Sequence, residues 1–319
     1  MKVIILAGGG GTRLFPLSRT RFPKQFLKLN GDKSLLTQTI ERFLPLVESS
    51  DLIIVTSQNY VHHVKTELAV SKATDAHILL EPMPRNTAPA IALATRYCIE
   101  QLKCGLDEVM VVTPSDHVIR SVEAFTANVR QAALMAAMDK VVTLGVAPHG
   151  PETGYGYIQA GKAFGSGFLV KSFREKPDKE TAEAYLANGG YYWNSGMFVF
   201  TIGRFMAELK EHQPDIYSLA DTGFDAMTEN FAEMSNISID YAVAEKSAQV
   251  MMLPFTAKWS DIGSWDAIYD VLGKDTDGNA VKGDCIPIDC SNTLMLGNSR
   301  LIAGIGLKDL LVVETDDVI

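Results

Sequence analysis

Five cations, Arg13, Arg19, Arg21, Lys24 and Lys28, follow a run of four glycines, Gly8 to Gly11, and the first 30 residues contain no Asp or Glu. Glycine lets a backbone approach an anion closely and leaves N–H groups facing it, while guanidinium and ammonium groups supply charge. The spacing is that of a phosphate cradle. The 319-residue chain as a whole carries a formal net charge of −9, so positive charge is concentrated where the backbone is barest. Two familiar glycine loops do not fit. A Walker A loop ends in Gly-Lys-Ser/Thr, whereas Gly11 leads into Thr12 and Arg13, and the first lysine after the glycines is Lys24. The dinucleotide fingerprint needs a third glycine at position 13, or at 14 in the shifted frame, where Arg13 and Leu14 stand. The plainer alternative is a glycine turn beside a solvated basic face. A glycine run directly after an apolar strand is a costly way to make such a turn.

Carboxylates supply a second kind of chemistry. Asp116 closes the run VMVVTPSD, which predicts a strand that projects this carboxylate from the carboxyl edge of a sheet. Mg²⁺ takes one or two protein carboxylates and completes its shell with phosphate oxygens and water, so Asp116 is half of a site. Asp261, in KWSDIGSWD, is the other half. It stands just before a predicted helix, so an N-cap is its alternative role.

Three further segments combine small or aromatic residues with one fixed polar group: GYGYI at 154–158, REKP at 174–177 and YWNSGMF at 192–198. Sugars are bound in this way. Glycine admits the ring, Glu175 and Asn194 pair with neighbouring hydroxyls, and Lys176 neutralises a phosphate. Glu175 and Lys176 read equally as an ordinary exposed pair. The stretch EPMPRNTAPAIALA, 81–94, leaves a strand through two prolines and opens a helix near Asn86 or Thr87. Asn86 either caps that helix or joins its first amides in meeting a nucleobase.

The elements that position these groups follow from periodicity. Short Val-, Ile- and Leu-rich runs at 2–7, 51–56, 77–81 and 108–113 alternate with helix-like segments near 34–47, 58–71 and 87–103. Such alternation predicts right-handed crossovers, a mostly parallel sheet and ligands outside the carboxyl ends of its strands. After residue 140 the pattern is mixed: VVTLGVA, GYGYIQA and GFLVKSFREKP read as strands, and 178–188, 201–212 and 264–272 as helices. An antiparallel insertion beside the main sheet is expected. From about 284 onward only short apolar runs separated by turns remain, which predicts small stacked strands, and the close at LLVVETDDVI suggests a shortened chain.

Bulk properties narrow the function classes. A chain with 47% hydrophobic and 21% charged residues is of the soluble globular class. Its acidic balance argues against nucleic acid and anionic membranes as partners, leaving a small anion. No segment has the length of a membrane span or the form of a signal peptide, so a cytoplasmic location is expected. Cys98, Cys104, Cys285 and Cys290 lack metal-site spacing and read as reduced and structural.

Taken in order, AGGGGTRLFPLSRTRFPKQFL, EPMPRNTAPA, TPSDH, PETGYGYI, FREKPD, WNSGMF, NISIDYAVAEK and WSDIGSW resemble the bacterial mannose-1-phosphate guanylyltransferases of the sugar-nucleotide pyrophosphorylase superfamily. The resemblance covers residues 3–265. It implies an α/β Rossmann-like nucleotidyltransferase domain with a mixed, mostly parallel central sheet over 1–283, followed by a short β-helix-like region over 284–319. It implies the conversion of GTP and mannose 1-phosphate into GDP-mannose and pyrophosphate, with Mg²⁺. By the same resemblance Leu6, Ala7, Gly8, Gly9, Gly10, Gly11, Thr12, Arg13, Lys24, Glu81, Asn86, Thr87 and Ser115 form the nucleotide site. Gly154, Glu175, Lys176, Asn194 and Asp240 face the sugar phosphate, Asp116 and Asp261 hold the metal, and Arg13, Lys24, Asp116 and Lys176 carry the catalysis. A homodimer is also implied, although nothing in the periodicity marks an interface. Longer relatives continue into a phosphomannose isomerase domain that these residues do not include. Departures from the pattern are small: Ser115 stands where alanine is common and Phe15 where tryptophan is common.

Overall fold

Runs of branched apolar residues buried on both faces become parallel strands covered by helices, and the chain opens with that pattern. The computed structural model describes residues 1–29 and 31–319. The first half runs β1 (Lys2–Leu6), α1 (Leu35–Phe43), β2 (Leu52–Thr56), α2 (Val61–Val70), β3 (His77–Leu80), α3 (Thr87–Glu100), β4 (Val109–Pro114), β5 (Val118–Arg120) and α4 (Val122–Ala136). Next come β6 (Val141–Val146), β7 (Tyr157–Phe164), β8 (Gly167–Arg174), α5 (Lys179–Asn188), β9 (Tyr191–Thr201), α6 (Ile202–His212), α7 (Pro214–Asp221) and α8 (Phe224–Glu229). The remainder is β10 (Val250–Pro254), β11 (Lys258–Ser260), α9 (Trp265–Val271), β12 (Ala280–Lys282), β13 (Cys285–Ile288), β14 (Leu294–Leu296), β15 (Ile302–Ile305) and β16 (Leu311–Val313).

The chain divides into two units. The first comprises Met1–Gly9, Leu36–Ser115 and Ile119–Trp259. Its nine-stranded sheet has the order β3-β2-β1-β4-β9-β6-β10-β8-β7. Seven strands run one way, and β8 and β9 run against them. Leu6 of β1 is paired with Pro114 of β4, so the chain leaves both strands at one carboxyl edge, just before Gly8 and just before Asp116.

The antiparallel component is more central than its sequence suggests. Strand β9 does not lie beside the main sheet but between β4 and β6, and its first residues also pair with β7. The register with β6 shifts between Thr143 and Gly145, which bends the strand where Asn194 sits. Strands β5, β9, β10 and β11 and helices α4, α7 and α8 are additions to the expected elements. Pro214 at the first turn of α7 is a start signal that was available in the sequence.

Helix α3 shows why this unit is stable. Ala88 to Thr95 are all buried, so the helix is apolar around its whole circumference, and it packs with Ile53, Val112, Phe198 and Phe205 in one core. Phe200 and Phe205 stack with ring centroids 4.8 Å apart.

The second unit comprises Gly10–Leu35, Asp116–Val118 and Ser260–Ile319. It therefore takes in more of the chain than the C-terminal region read from the sequence. Its core joins Leu14, Leu27 and Leu35 to Ile262, Ile268 and Leu294. Strands β12, β14 and β16 stack in parallel, as do β13 and β15. Successive strands alternate between the two stacks, giving the expected β-helix-like coil. Arg19 grips Asp317 through two hydrogen bonds of 2.6 Å, and the buried Glu314 carboxylate accepts the amides of Asn298 and Ser299 at 2.5 and 3.0 Å. Among the described residues, no helix is long and apolar enough to cross a membrane.

Phe198 is fully buried in the α3 core. Phe198→Ala is expected to lower unfolding stability by about 3–5 kcal/mol, the usual sum of lost transfer energy and a residual cavity. Urea unfolding measures the loss, and a change below about 1 kcal/mol contradicts this account of the core.

Candidate active site

The glycine run is shared by the two units, with Gly8 and Gly9 in the first and Gly10 onward in the second. β-type bonding continues past Leu6: the Ala7 amide donates to Val55 O at 2.8 Å, and Thr56 Oγ1 donates to Ala7 O at 3.1 Å. The chain then turns free at Gly8, where a Cβ would stand 3.0 Å from Glu81 Oε2. At Gly9 a Cβ would meet nothing within 4 Å. Gly10, Thr12 and Arg13 are exposed. Gly11, at φ +30°, is pressed against Lys24, whose N and Cβ would each lie 3.0 Å from an added Cβ. The open tip and the glycine folded onto its own lysine are what a cradle demands of its backbone.

Lys24 begins a short 3-10 turn, Lys24–Phe26, and is only 7% exposed. Its Nζ donates to the backbone carbonyl of Asp261 and lies 2.9 Å from Asp116 Oδ2. One ammonium thus gathers the two aspartates singled out by sequence. Burial pushes the Asp116 carboxyl up, but the charges of Lys24 and His117 outweigh it and hold the group below its ordinary value. The N-cap alternative for Asp261 is not realised. Ser264 Oγ caps α9 by accepting from the Ala267 amide at 3.2 Å, while Asp261 Oδ1 accepts from the Gly263 amide at 3.0 Å. A Cβ at Gly263 would lie 2.6 Å from Asp261 Oδ2, so a side chain there would displace the carboxylate.

In the first unit the sugar-type residues converge. Asn194 Nδ2 donates to Asp240 Oδ1 at 2.8 Å, and Asn194 Oδ1 accepts from Thr143 Oγ1 at 2.8 Å. Both ends of this buried amide are therefore oriented. Lys176 Nζ pairs with Glu175 Oε1 at 2.7 Å, and the Glu175 amide donates to Glu245 Oε1 at 2.8 Å. Glu175 is buried, so this is not the ordinary surface pair that its sequence context also allowed. Burial, followed by the charge of Glu175, pushes the Asp240 carboxyl up to about 6. Burial presses Lys176 down, but its bond to Glu175 prevails and leaves it raised. Gly154 is exposed, with nothing within 4 Å of a built Cβ. The tight position is Gly156, where a Cβ would lie 2.5 Å from Glu175 Oε2.

At the start of α3, Asn86 has φ +64° and its Oδ1 accepts from the Thr87 amide at 2.9 Å, which is the capping role. Thr87 Oγ1 accepts from the Ile239 amide at 2.8 Å. Burial raises the Glu81 carboxyl, with the Arg85 amide opposing. Ser115 is buried, and its carbonyl accepts from Thr39 Oγ1 at 3.3 Å. Sequence reasoning missed Thr143, Gly156 and Glu245. GYGYI carried a signal for Gly156, since it offers two glycines and only burial chooses between them. Glu245 lies inside the DYAVAEK motif, which marked the segment without singling out the residue, and nothing in the sequence pointed to Thr143.

Residues 2–278 match the nucleotidyl transferase family. The chain belongs to that family. It is similar to the xanthan biosynthesis protein XanB of Xanthomonas campestris pv. campestris (strain B100), 46% identical over 326 residues that span 99% of this chain and 68% of that protein. It is 40% identical over 331 residues to the mannose-1-phosphate guanylyltransferase of Escherichia coli (strain K12), covering 99% of this chain and 69% of the relative. Among solved structures, a protein of Thermus thermophilus named mannose-1-phosphate geranyltransferase superposes with a TM-score of 0.91 at 31% identity, over 99% of this chain and 92% of that one. A UDP-glucose pyrophosphorylase bound to UDP-glucose shares the fold alone, with a TM-score of 0.56 at 18% identity over 84% of this chain and 95% of that one.

The nucleotidyl transferase family generally uses a divalent metal, and the donor chemistry of the second unit suits one. The Asp116 carboxylate and the Asp261 backbone carbonyl meet on the Lys24 ammonium, and the Asp261 carboxylate adds a second hard oxygen donor on the same residue. Among the described residues no cluster of three His, Cys, Asp or Glu forms a closed cage. Two carboxylates with the rest of the shell left to substrate oxygens and water is the arrangement expected for a metal shared with a phosphate.

The raised Asp240 carboxyl has a thermodynamic consequence. Because its folded value of about 6 exceeds the ordinary 3.8, the folded state holds a proton that the unfolded state releases between these values. The associated stability is complete below pH 3.8 and lost as pH rises through about 6. Asp240→Asn is expected to flatten this slope and to be more stable than wild type at pH 7 by up to roughly 3 kcal/mol. Urea unfolding between about pH 4 and pH 7 measures it, and an unchanged slope in the variant contradicts the assignment.

Proposed function

We propose that the chain is a mannose-1-phosphate guanylyltransferase, which joins GTP and α-D-mannose 1-phosphate into GDP-mannose and releases pyrophosphate. The observation that carries this reading is the buried lysine that packs on Gly11 and joins the Asp116 carboxylate to the Asp261 backbone carbonyl, in a nucleotidyl transferase whose relatives include proteins named for this reaction. The catalytic domain is assigned to residues 1–283, in keeping with a family match that ends at 278, and the coil to 284–319.

Gly8 to Thr12 offer backbone amides to the triphosphate, and Arg13 and Lys24 offer charge. Leu6, Ala7, Glu81, Asn86 and Ser115 are assigned to the nucleotide. Glu175, Asn194 and Asp240 are assigned to mannose hydroxyls, with Gly154 in the adjoining loop and Lys176 on the sugar's phosphate. Mg²⁺, held by Asp116 and Asp261, supplies positive charge to the triphosphate oxygens when bound. The nucleophile is a phosphate oxygen that is already an anion, so the reaction needs no strong general base. The protein holds two repelling anions for in-line attack on the α-phosphorus and offsets the developing charge. At about 4 Å and an effective dielectric of 20, two unit charges interact by about 4 kcal/mol, so each cation contact weighs on the barrier.

Arg13→Ala and Asp116→Asn are each expected to lower turnover by about a hundredfold or more, the scale of a lost electrostatic stabiliser, in a pyrophosphate-release assay. Near-normal turnover in Asp116→Asn rejects its assigned role. In the same assay a panel of GTP, UTP and dTTP against mannose and glucose 1-phosphates is expected to show the highest kcat/KM for GTP with mannose 1-phosphate. Preference for another pair overturns the substrate assignment and leaves the nucleotidyl transfer intact.

A further inference from the structure

We infer that Thr87 is a positioning residue for the sugar pocket, its hydroxyl holding the Ile239 amide and so setting Asp240 against Asn194. The assignment rests on the functional reading above and departs from the placement of Thr87 with the nucleotide. Thr87 Oγ1 accepts from the Ile239 amide at 2.8 Å, across 152 residues of sequence. The next amide of α3, that of Ala88, donates to Ile237 O at 3.1 Å. Two bonds from the first turn of one helix therefore fasten residues 237–239. Ala88 is fully buried and Ile239 is 3% exposed, so water is poorly placed to substitute for either bond.

Asp240 follows at once. It opens a π-helical turn, Asp240–Ala244, closed by the Glu245 amide donating to Asp240 O at 2.9 Å. Such turns recur at functional sites because the extra residue re-aims side chains. Here it aims two. Asp240 Oδ1 receives Asn194 Nδ2 at 2.8 Å, and Glu245 Oε1 receives the Glu175 amide at 2.8 Å. The segment that Thr87 anchors thus reaches both polar groups assigned to the sugar, while the hydroxyl itself faces protein.

Thr87→Val keeps the shape and removes the acceptor, whereas Thr87→Ser keeps the acceptor. Steady-state kinetics with GTP and mannose 1-phosphate are expected to give a KM for mannose 1-phosphate raised about tenfold in Thr87→Val, the scale of one lost hydrogen bond. The KM for GTP stays within about twofold, and Thr87→Ser restores wild-type values. Thr87→Ala, which removes the acceptor without setting a methyl against the Ile239 amide, gives the same split and serves if the valine variant does not fold. A rise confined to the KM for GTP, no change in either KM, or a fall in kcat alone overturns the assignment. Wild-type activity on this pair is the control: its absence defeats the functional reading and this inference with it, whereas an active wild type with an unaltered sugar KM in the variants defeats the inference only.

Discussion

A lysine ammonium buried to 7% exposure cannot stand alone, and the second unit is arranged around that constraint. An unpaired charge at such depth costs several kcal/mol. The cost is met by the Asp116 carboxylate at 2.9 Å and the Asp261 carbonyl, the latter 237 residues further along the chain. The local geometry fits this arrangement: Gly11, at φ +30°, lies against the Lys24 backbone, Gly263 leaves the Asp261 carboxylate its place, and Ser264 takes the capping of α9. The candidate site is thereby organised, within the protein itself, by a cation.

The first unit solves the opposite problem. Burial raises the Asp240 carboxyl, and the charge of Glu175 adds to the effect. Lys176 offsets Glu175, and the Asn194 amide satisfies Asp240 through a hydrogen bond. Neutral and charged donors are thus displayed around two acids, which is the polar pattern a polyhydroxylated, phosphorylated ligand requires. The bend in β9 and the π-helical turn at Asp240 depart from regular geometry where these groups must be aimed, and each disturbs only one short stretch of ladder or helix.

Much of the fold was legible because the forces that set it are local and periodic. The runs at 2–7, 51–56, 77–81 and 108–113 become β1 to β4 nearly to the residue, since short apolar runs bounded by turns favour strands, buried on both faces in β1, β2 and β4 and half-buried at the edge in β3. The stacked strands after 284 were marked by their turns. The position of β9 was not legible. An antiparallel strand in the middle of a sheet and one at its side have the same composition, and only partner choice separates them. Helices α7 and α8 are short and only partly apolar, so their periodic signal is weak and their burial against α3 decides them.

By itself, the sequence determined the chemistry on offer: an open glycine loop followed by cations, an aspartate at the end of a strand, a second before a helix, and polar groups set among small and aromatic residues. Those properties depend on residue type and short spacing. Tertiary structure alone decided which residues meet. It assigned capping to Ser264 and not Asp261, made Gly156 and not Gly154 the close-packed glycine, and turned the Thr87 hydroxyl toward Ile239. The physical reason is that hydrogen bonds and ion pairs between distant positions depend on three-dimensional proximity, and no local pattern records which of several equivalent donors the folded chain brings within about 3 Å of a given acceptor.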